Sequence, residues 1–273
     1  MSREGSEPAL EPIEPTGWES AIAAVSGPTM VVGGPGTGKT EFLVRRAVYL
    51  IEQNDVRSED IIILGFSRRG VAAVRNRIRE ALAGSVGALD VATFHSYAAR
   101  LIEQQPNAAG WDENPQILTG PEQVALVQSL LATEDVSRWS PAFGHLLPTR
   151  TFAREVTEFI LRAAEQVRTP SDIARLARAD WRGLPEFLER YGDKLRSSGR
   201  IDYGTLISTA VDLVAAGTRS GAARTRYVLV DEYQDTTTAQ VRLLQALQNA
   251  GHEILVAADP YQSIYSFRGA SLE

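Results

Sequence analysis

The 273 residues carry 28 Lys and Arg against 34 Asp and Glu, a formal net charge of -6, with 44% hydrophobic and 23% charged residues. That is the balance of a globular chain long enough for one large or two ordinary domains, and it offers no global attraction to a phosphate backbone, so any nucleic-acid contact must be a local patch. Cysteine is absent and the three histidines, His95, His145 and His252, are far apart, which excludes disulfides, thiolate metal sites and any His-based metal spacing.

The first residues, 1–16, are rich in Glu, Pro and Ser, and read as a flexible acidic tail with neither the basic start nor the apolar stretch of a secretory signal. No apolar run is long enough to cross a bilayer, and a cytoplasmic location is expected. A short apolar run at 30–32 leads into GGPGTGKT at 33–40, and a helical pattern follows over 40–52. This is GxxxxGK[ST] in the strand, loop and helix setting the motif needs. Gly33, Gly36, Thr37 and Gly38 form a loop whose backbone N–H groups converge on phosphates. Lys39 is placed to reach the β and γ phosphates, and the Thr40 hydroxyl to bind Mg²⁺. A Gly-rich turn with a solvated lysine is the competing reading, and the flanking strand and helix argue against it.

A second apolar run at 61–66 precedes a helical pattern at 69–83, where Arg75, Arg77 and Arg79 read with Glu80 as a solvated face. A third run follows at 89–94. From 105 to 199 no buried strand is evident, and helical stretches at 121–132, 152–167, 171–178 and 184–196 alternate with Pro and Gly breakers, as expected for an all-helical insertion. The tryptophans at 18, 111, 139 and 181 read as core or domain-contact residues. Strands resume at 227–230 and 253–257. The first of these delivers Asp231 and Glu232 at its carboxyl end, where α/β sheets place ligands. Asp231 is suited to holding the magnesium, and Glu232 to orienting and deprotonating an attacking water. The expected fold is α/β, a doubly wound parallel sheet carrying the P-loop and interrupted by the all-helical insertion.

Six ordered blocks resemble the UvrD/Rep/PcrA helicases of superfamily 1: GGPGTGKT, ILGFSRRGVAAVRNRI from Ile63, ATFHSYAARLI from Ala92, RIDYGTLI from Arg200, VDEYQDTTTAQ from Val230 and ADPYQSIYSFRGA from Ala258. The resemblance implies a motor domain 1A in two parts, 17–104 and 200–273, with an inserted domain 1B at 105–199, and a chain that stops before a second RecA-like domain. It implies ATP and Mg²⁺ as nucleotide and metal, with Lys39, Asp231, Glu232 and the γ-phosphate sensor Gln262 as catalytic residues. Single-stranded DNA would meet Phe66, Ser67, His95, Tyr265, Phe267 and Arg268, the aromatic rings stacking on bases without sequence preference. The implied activity is a single-stranded-DNA-dependent ATPase and 3′ to 5′ helicase of repair or recombination, working at duplex junctions. The motor of an AdnA/AdnB- or RecB-type helicase-nuclease, and a non-hydrolysing scaffold, are the alternatives. The chain departs from the family in having no Gln before Gln53 to read adenine, and in carrying Ala258, Tyr261 and Phe267 where Gly, Asp and Trp are usual.

Overall fold

A computed structural model describes residues 18–25, 27–82, 89–176, 178–217, 225–259 and 261. Five strands, β1 (Thr29–Val32), β2 (Ile61–Gly65), β3 (Asp90–Thr93), β6 (Tyr227–Val230) and β7 (Glu253–Ala258), form one sheet in the order β1-β7-β6-β2-β3. All four pairings are parallel, with Val32 opposite Ala258, Val230 opposite Val256, Leu64 opposite Val230 and Gly65 opposite Thr93. Parallel strands covered on both faces should be apolar throughout, and β2, IIILG, is buried at every residue. The edge strand β1 is not, for Met30 and Val32 are 50% and 39% exposed. This is the RecA-like P-loop fold that the sequence predicts.

Alternation along the strands sorts the core into two layers. Ile61, Ile63, Leu229 and Leu255 face α2 (Lys39–Gln53) and α3 (Arg68–Ala81). Ile62, Leu64, Val228, Val230 and Val256 face α4 (Phe94–Gln104), α10 (Tyr203–Ala215) and α11 (Thr238–Asn249). A short helix, α1 (Trp18–Ala24), is tied to α2 by the buried Arg46, which donates to the carbonyls of Ile22 at 2.6 Å and Val25 at 2.9 Å. These are carbonyls at the end of α1 that helix geometry leaves without partners. Arg75, Arg77 and Arg79 lie exposed on the solvated face expected of them, and the Arg75 guanidinium also donates to the Val91 carbonyl at 2.6 Å on β3.

Over the described residues of 105–199 the regular structure is helical, as expected, apart from two strand residues. It runs through α5 (Gly120–Leu131), α6 (Pro141–Gly144), α7 (Arg150–Glu165), α8 (Pro170–Arg175) and α9 (Leu184–Ser197). Leu131, Trp139, Ala153, Phe187 and Tyr191 form a third core of their own. Thr119, Thr149 and Thr169 cap α5, α7 and α8. The exception is β4 (Gln116–Ile117), which pairs in parallel with β5 (Arg200–Ile201) and joins the two ends of the helical segment.

Candidate functional site

Every described candidate residue follows the carboxyl end of a strand, so parallel pairing alone brings them to one edge of the sheet. The P-loop follows β1, Asp259 follows β7, Asp231 and Glu232 follow β6, Phe66 and Ser67 follow β2, and His95 lies just past β3. At about 4.8 Å between strands, this edge runs roughly 19 Å from the P-loop to His95.

The P-loop owes its course to glycine at two places, Gly36 at φ 69° and Gly38 at φ 91°, both left-handed. Gly33 is needed for room, because a Cβ there would lie 2.5 Å from the Thr37 hydroxyl. That hydroxyl donates to the Gly34 carbonyl at 2.8 Å. Lys39 Nζ donates to the carbonyls of Gly33 at 2.7 Å and Gly34 at 2.8 Å, and lies 3.7 Å from the Asp259 carboxylate. The ammonium is thus held at the mouth of the loop, its charge balanced by a carboxylate that is only 1% exposed. Among the described residues Asp259 Oδ2 has no hydrogen-bond donor, and this ion pair is its compensation.

Thr40 Oγ1 donates to Asp231 Oδ2 at 2.9 Å, the contact that joins the P-loop helix to the acids of β6. Burial pushes the Asp231 carboxyl above the usual carboxylate range. The Thr40 donor and Lys39 oppose the rise, and the neighbouring Glu232 adds to it. Asp235 is raised in the same way, by burial and then by Glu232, and its Oδ1 is buried without a partner. Glu232 takes a left-handed backbone, φ 55° and ψ 45°, a conformation costing about 1 to 3 kcal/mol for a residue with a side chain. Gln234 holds it there, its amide donating to the Glu232 carboxylate while its carbonyl accepts from Asp259 N at 2.8 Å.

Among the described residues no group of three or more His, Cys, Asp or Glu side chains is arranged to hold a metal. One hydroxyl and one carboxylate at hydrogen-bond distance nonetheless suit a magnesium ion, which keeps several waters and draws other oxygens from substrate phosphates. Burial disfavours the charged form of Asp231, a cost that a bound cation would offset.

A cavity of about 250 Å³ runs from these acids to β2, lined by Asp231, Glu232, Asp235, Gly65, Phe66 and Ser67. Ser67 Oγ accepts from Gly70 N at 3.0 Å and so caps α3, leaving its own proton to donate. His95 packs edge-on to Tyr203, ring centroids 5.6 Å apart, and burial lowers its pKa, so at neutral pH it is an uncharged ring. Gln262, Tyr265, Phe267 and Arg268 lie outside the described residues.

Four residues of this edge were not singled out as site residues from the sequence. Asp235, Gln234 and Asp259 sit inside the blocks quoted above and were legible there as polar residues just after strands. Trp18 was not, since its place follows only from packing: a Cβ on Gly38 would lie 2.6 Å from the indole, Phe42 meets it edge-on at 6.1 Å, and Arg45 lies 5.5 Å from its ring centre.

Residues 16–273 match the family described as the UvrD/REP helicase N-terminal domain. The chain belongs to that family. Relatives named ATP-dependent DNA helicase PcrA include one from Staphylococcus epidermidis strain ATCC 35984, 26% identical over 260 residues, and one from Staphylococcus aureus strain Mu50, 24% identical over 258 residues. Each alignment covers 93% of this chain and 34% of the relative, so the chain spans about a third of the length of the curated relatives it matches. No helix among the described residues is long and apolar enough to cross a membrane.

Proposed function

We propose that this chain is the ATP-binding part of a single-stranded-DNA-dependent ATPase that translocates 3′ to 5′ and separates strands at duplex junctions, in cytoplasmic DNA repair or recombination. The observation that carries the reading is the Thr40 to Asp231 hydrogen bond, which sets a P-loop helix and a strand-end carboxylate around one magnesium-sized point. The relatives' printed name, ATP-dependent DNA helicase, supplies the reaction class. In the domain arrangement that goes with it, 17–104 and 200–273 make the motor core 1A and 105–199 the inserted 1B.

On binding, the triphosphate takes the Lys39 ammonium from the Gly33 and Gly34 carbonyls, and the backbone N–H groups of Gly36, Thr37 and Gly38 face the phosphates. Thr40 and Asp231 hold the magnesium, which when bound neutralises charge on the β and γ phosphates. Glu232, fixed by its left-handed backbone and by Gln234, orients the attacking water and accepts its proton. Gln262 senses the γ-phosphate and Tyr265, Phe267 and Arg268 contact DNA, with Phe66, Ser67 and His95 further along the same track. By this reading a second RecA-like domain of the whole protein closes the cleft and contributes arginines, worth about 10³ to 10⁵ in rate.

Phosphate release from the whole protein, measured with and without single-stranded DNA, tests the proposal. Stimulation by DNA, lost in Glu232→Gln, is expected; turnover that DNA leaves unchanged would sink it. Residues 1–273 alone should bind nucleotide and turn it over far more slowly.

A further inference from the structure

Three arginines of this acidic chain line one cavity away from the site described above. Arg168 follows α7, Arg196 lies on α9 and Arg200 on β5, and all three line one cavity of about 270 Å³ between α7, α9 and α10. No salt bridge among the described residues engages any of the three, although Arg200 feels the charge of Glu122 and Arg168 that of Asp172. Three arginines lining one cavity, in a chain of net charge -6, give that cavity a local positive charge that an anionic counterpart would complement.

Below the rim the lining is apolar, with Leu195 and Val167 among its walls, and it includes Trp111. The indole is 8% exposed and its Nε1–H is buried without an acceptor. A buried donor without a partner costs stability unless something outside the described residues completes it. The deepest polar group is already satisfied, since Asp202 accepts from Tyr191 at 2.6 Å, from Gln123 at 3.3 Å and from Thr205 N at 2.7 Å. The open valences of the cavity are therefore donors: one indole N–H and three guanidiniums.

The backbone brings one of those guanidiniums to the cavity by an uncommon device. After α7, Val167 N donates to the Ala164 carbonyl at 3.0 Å and Arg168 N to the Ala163 carbonyl at 2.7 Å, the paired bonds of a Schellman ending. The left-handed position in that motif usually falls to glycine, yet here Val167 occupies it at φ 54°. A β-branched residue there is an outlier, of the kind that gathers at binding sites. Its side chain packs on the core beneath the sheet while the next residue, Arg168, reaches the rim.

We propose that this cavity receives the acidic end of a partner peptide, one apolar side chain entering between Leu195 and Val167 while adjacent carboxylates meet Trp111 Nε1–H, Arg168, Arg196 and Arg200. The volume falls just short of the roughly 300 to 1,000 Å³ of drug-sized ligand sites, so it suits a single side chain. Three arginines exceed what one small monoacid can neutralise, which favours a peptide carrying several carboxylates. The cavity adjoins β5 and α10, where the chain leaves the helical segment, so an occupant would touch both α10 and that segment. The inference is independent of the nucleotide reading.

The test titrates the 273-residue chain with acetyl-Asp-Glu-Leu-Phe bearing a free carboxylate, followed by tryptophan fluorescence and calorimetry, beside its C-terminal amide, 3-phenylpropionate and a single-stranded oligonucleotide. The free peptide should bind, roughly tenfold or more tighter than the amide or 3-phenylpropionate. Arg168→Glu with Arg200→Glu should abolish binding, and Trp111→Phe, which keeps the ring and loses the N–H, should weaken it roughly tenfold. Far-UV circular dichroism and denaturant unfolding, unchanged in both variants, show that they are folded. No binding at millimolar peptide, equal affinity for 3-phenylpropionate, or unaltered binding by the folded variants would each overturn the proposal. So would a double variant that keeps peptide affinity and loses the oligonucleotide, which would make this a nucleic-acid surface.

Discussion

The nucleotide edge and the helical segment are built in opposite ways. Helices α5, α7 and α8 begin on threonine caps, and the apolar faces of α5, α7 and α9 close on a shared core. At the sheet edge the same chain holds Glu232 in a left-handed backbone, buries Asp231 with its pKa raised, and leaves Asp235 Oδ1 without a partner. The helical segment is locally consistent around that core, with Val167 and the Trp111 indole at its junction with α10 as exceptions, whereas at the edge the conflicts gather on the candidate site residues themselves. Conflict of this kind is expected where a ligand's charge is to be received, because groups placed for phosphate and metal are unsatisfied without them.

Deleting the most buried large side chain of the helical core should have the largest effect on either region. Phe187 is fully buried against Trp139, 5.7 Å between ring centroids, and Phe187→Ala should cost about 3 to 5 kcal/mol in denaturant unfolding. If the two regions are as separate as their cores, nucleotide affinity measured below the unfolding transition should hardly change. A parallel loss of nucleotide binding would break the comparison.

Next in size is Lys39→Ala. It removes charged hydrogen bonds to the terminal phosphates, each worth about 1.5 to 3 kcal/mol, so triphosphate affinity should fall by more than tenfold and diphosphate affinity by less. Equal affinities of the wild type and the variant for a non-hydrolysable triphosphate would remove Lys39 from the site. Stability should fall as well, since the buried Asp259 carboxylate loses its compensating charge, so affinity is measured well below the unfolding transition.

The two regions also differed in how far the sequence revealed them. The P-loop and the acids were legible because each is a short contiguous motif at a strand end, and all five sheet strands were read within a residue or so of their bounds. Helices α4, α10 and α11 were not delimited. α10, YGTLISTAVDLVA, is apolar nearly all round and shows no clear helical stripe, while α4 follows β3 with no breaker between them. The β4 to β5 pairing was invisible for a different reason, as two residues on each side, 84 positions apart in register, carry no periodicity. Nor could any local pattern place Trp18 against Gly38, a contact made only when α1 folds back on α2.

The charge conflict at the edge gives a prediction of the opposite sign. Because burial raises the Asp231 pKa above its unfolded value, its carboxylate is the disfavoured form in the fold. That group's contribution is favourable at low pH, where it is protonated in both states, and is lost as pH rises through the folded pKa. At neutral pH, without nucleotide or magnesium, Asp231→Asn should therefore stabilise the chain, by about 1 kcal/mol, and the gain should shrink toward pH 4. The same substitution should erase stabilisation by magnesium with nucleotide. A variant less stable than the wild type at pH 7 would show that the Thr40 bond, not the buried charge, dominates there.

The smallest effect separates two roles that coincide in one side chain at the edge but not in the helical segment. Ser67 and Thr149 both cap helices, accepting from Gly70 N at 3.0 Å and Phe152 N at 3.2 Å, and replacing either by Ala should cost about 1 kcal/mol. Glycine restores most of a cap because its backbone suits the position, so Ser67→Gly and Thr149→Gly should each cost only a few tenths of a kcal/mol. Neither glycine restores a hydroxyl. If Ser67 also donates to a nucleic-acid phosphate, as proposed, then Ser67→Gly should recover stability without recovering single-stranded-DNA affinity at fixed salt, while Thr149→Gly and Thr149→Ala leave that affinity alone. DNA affinity that tracks stability across the Ser67 series would mean the serine acts only by capping α3. The DNA track would then have to be carried by its neighbours Phe66 and His95.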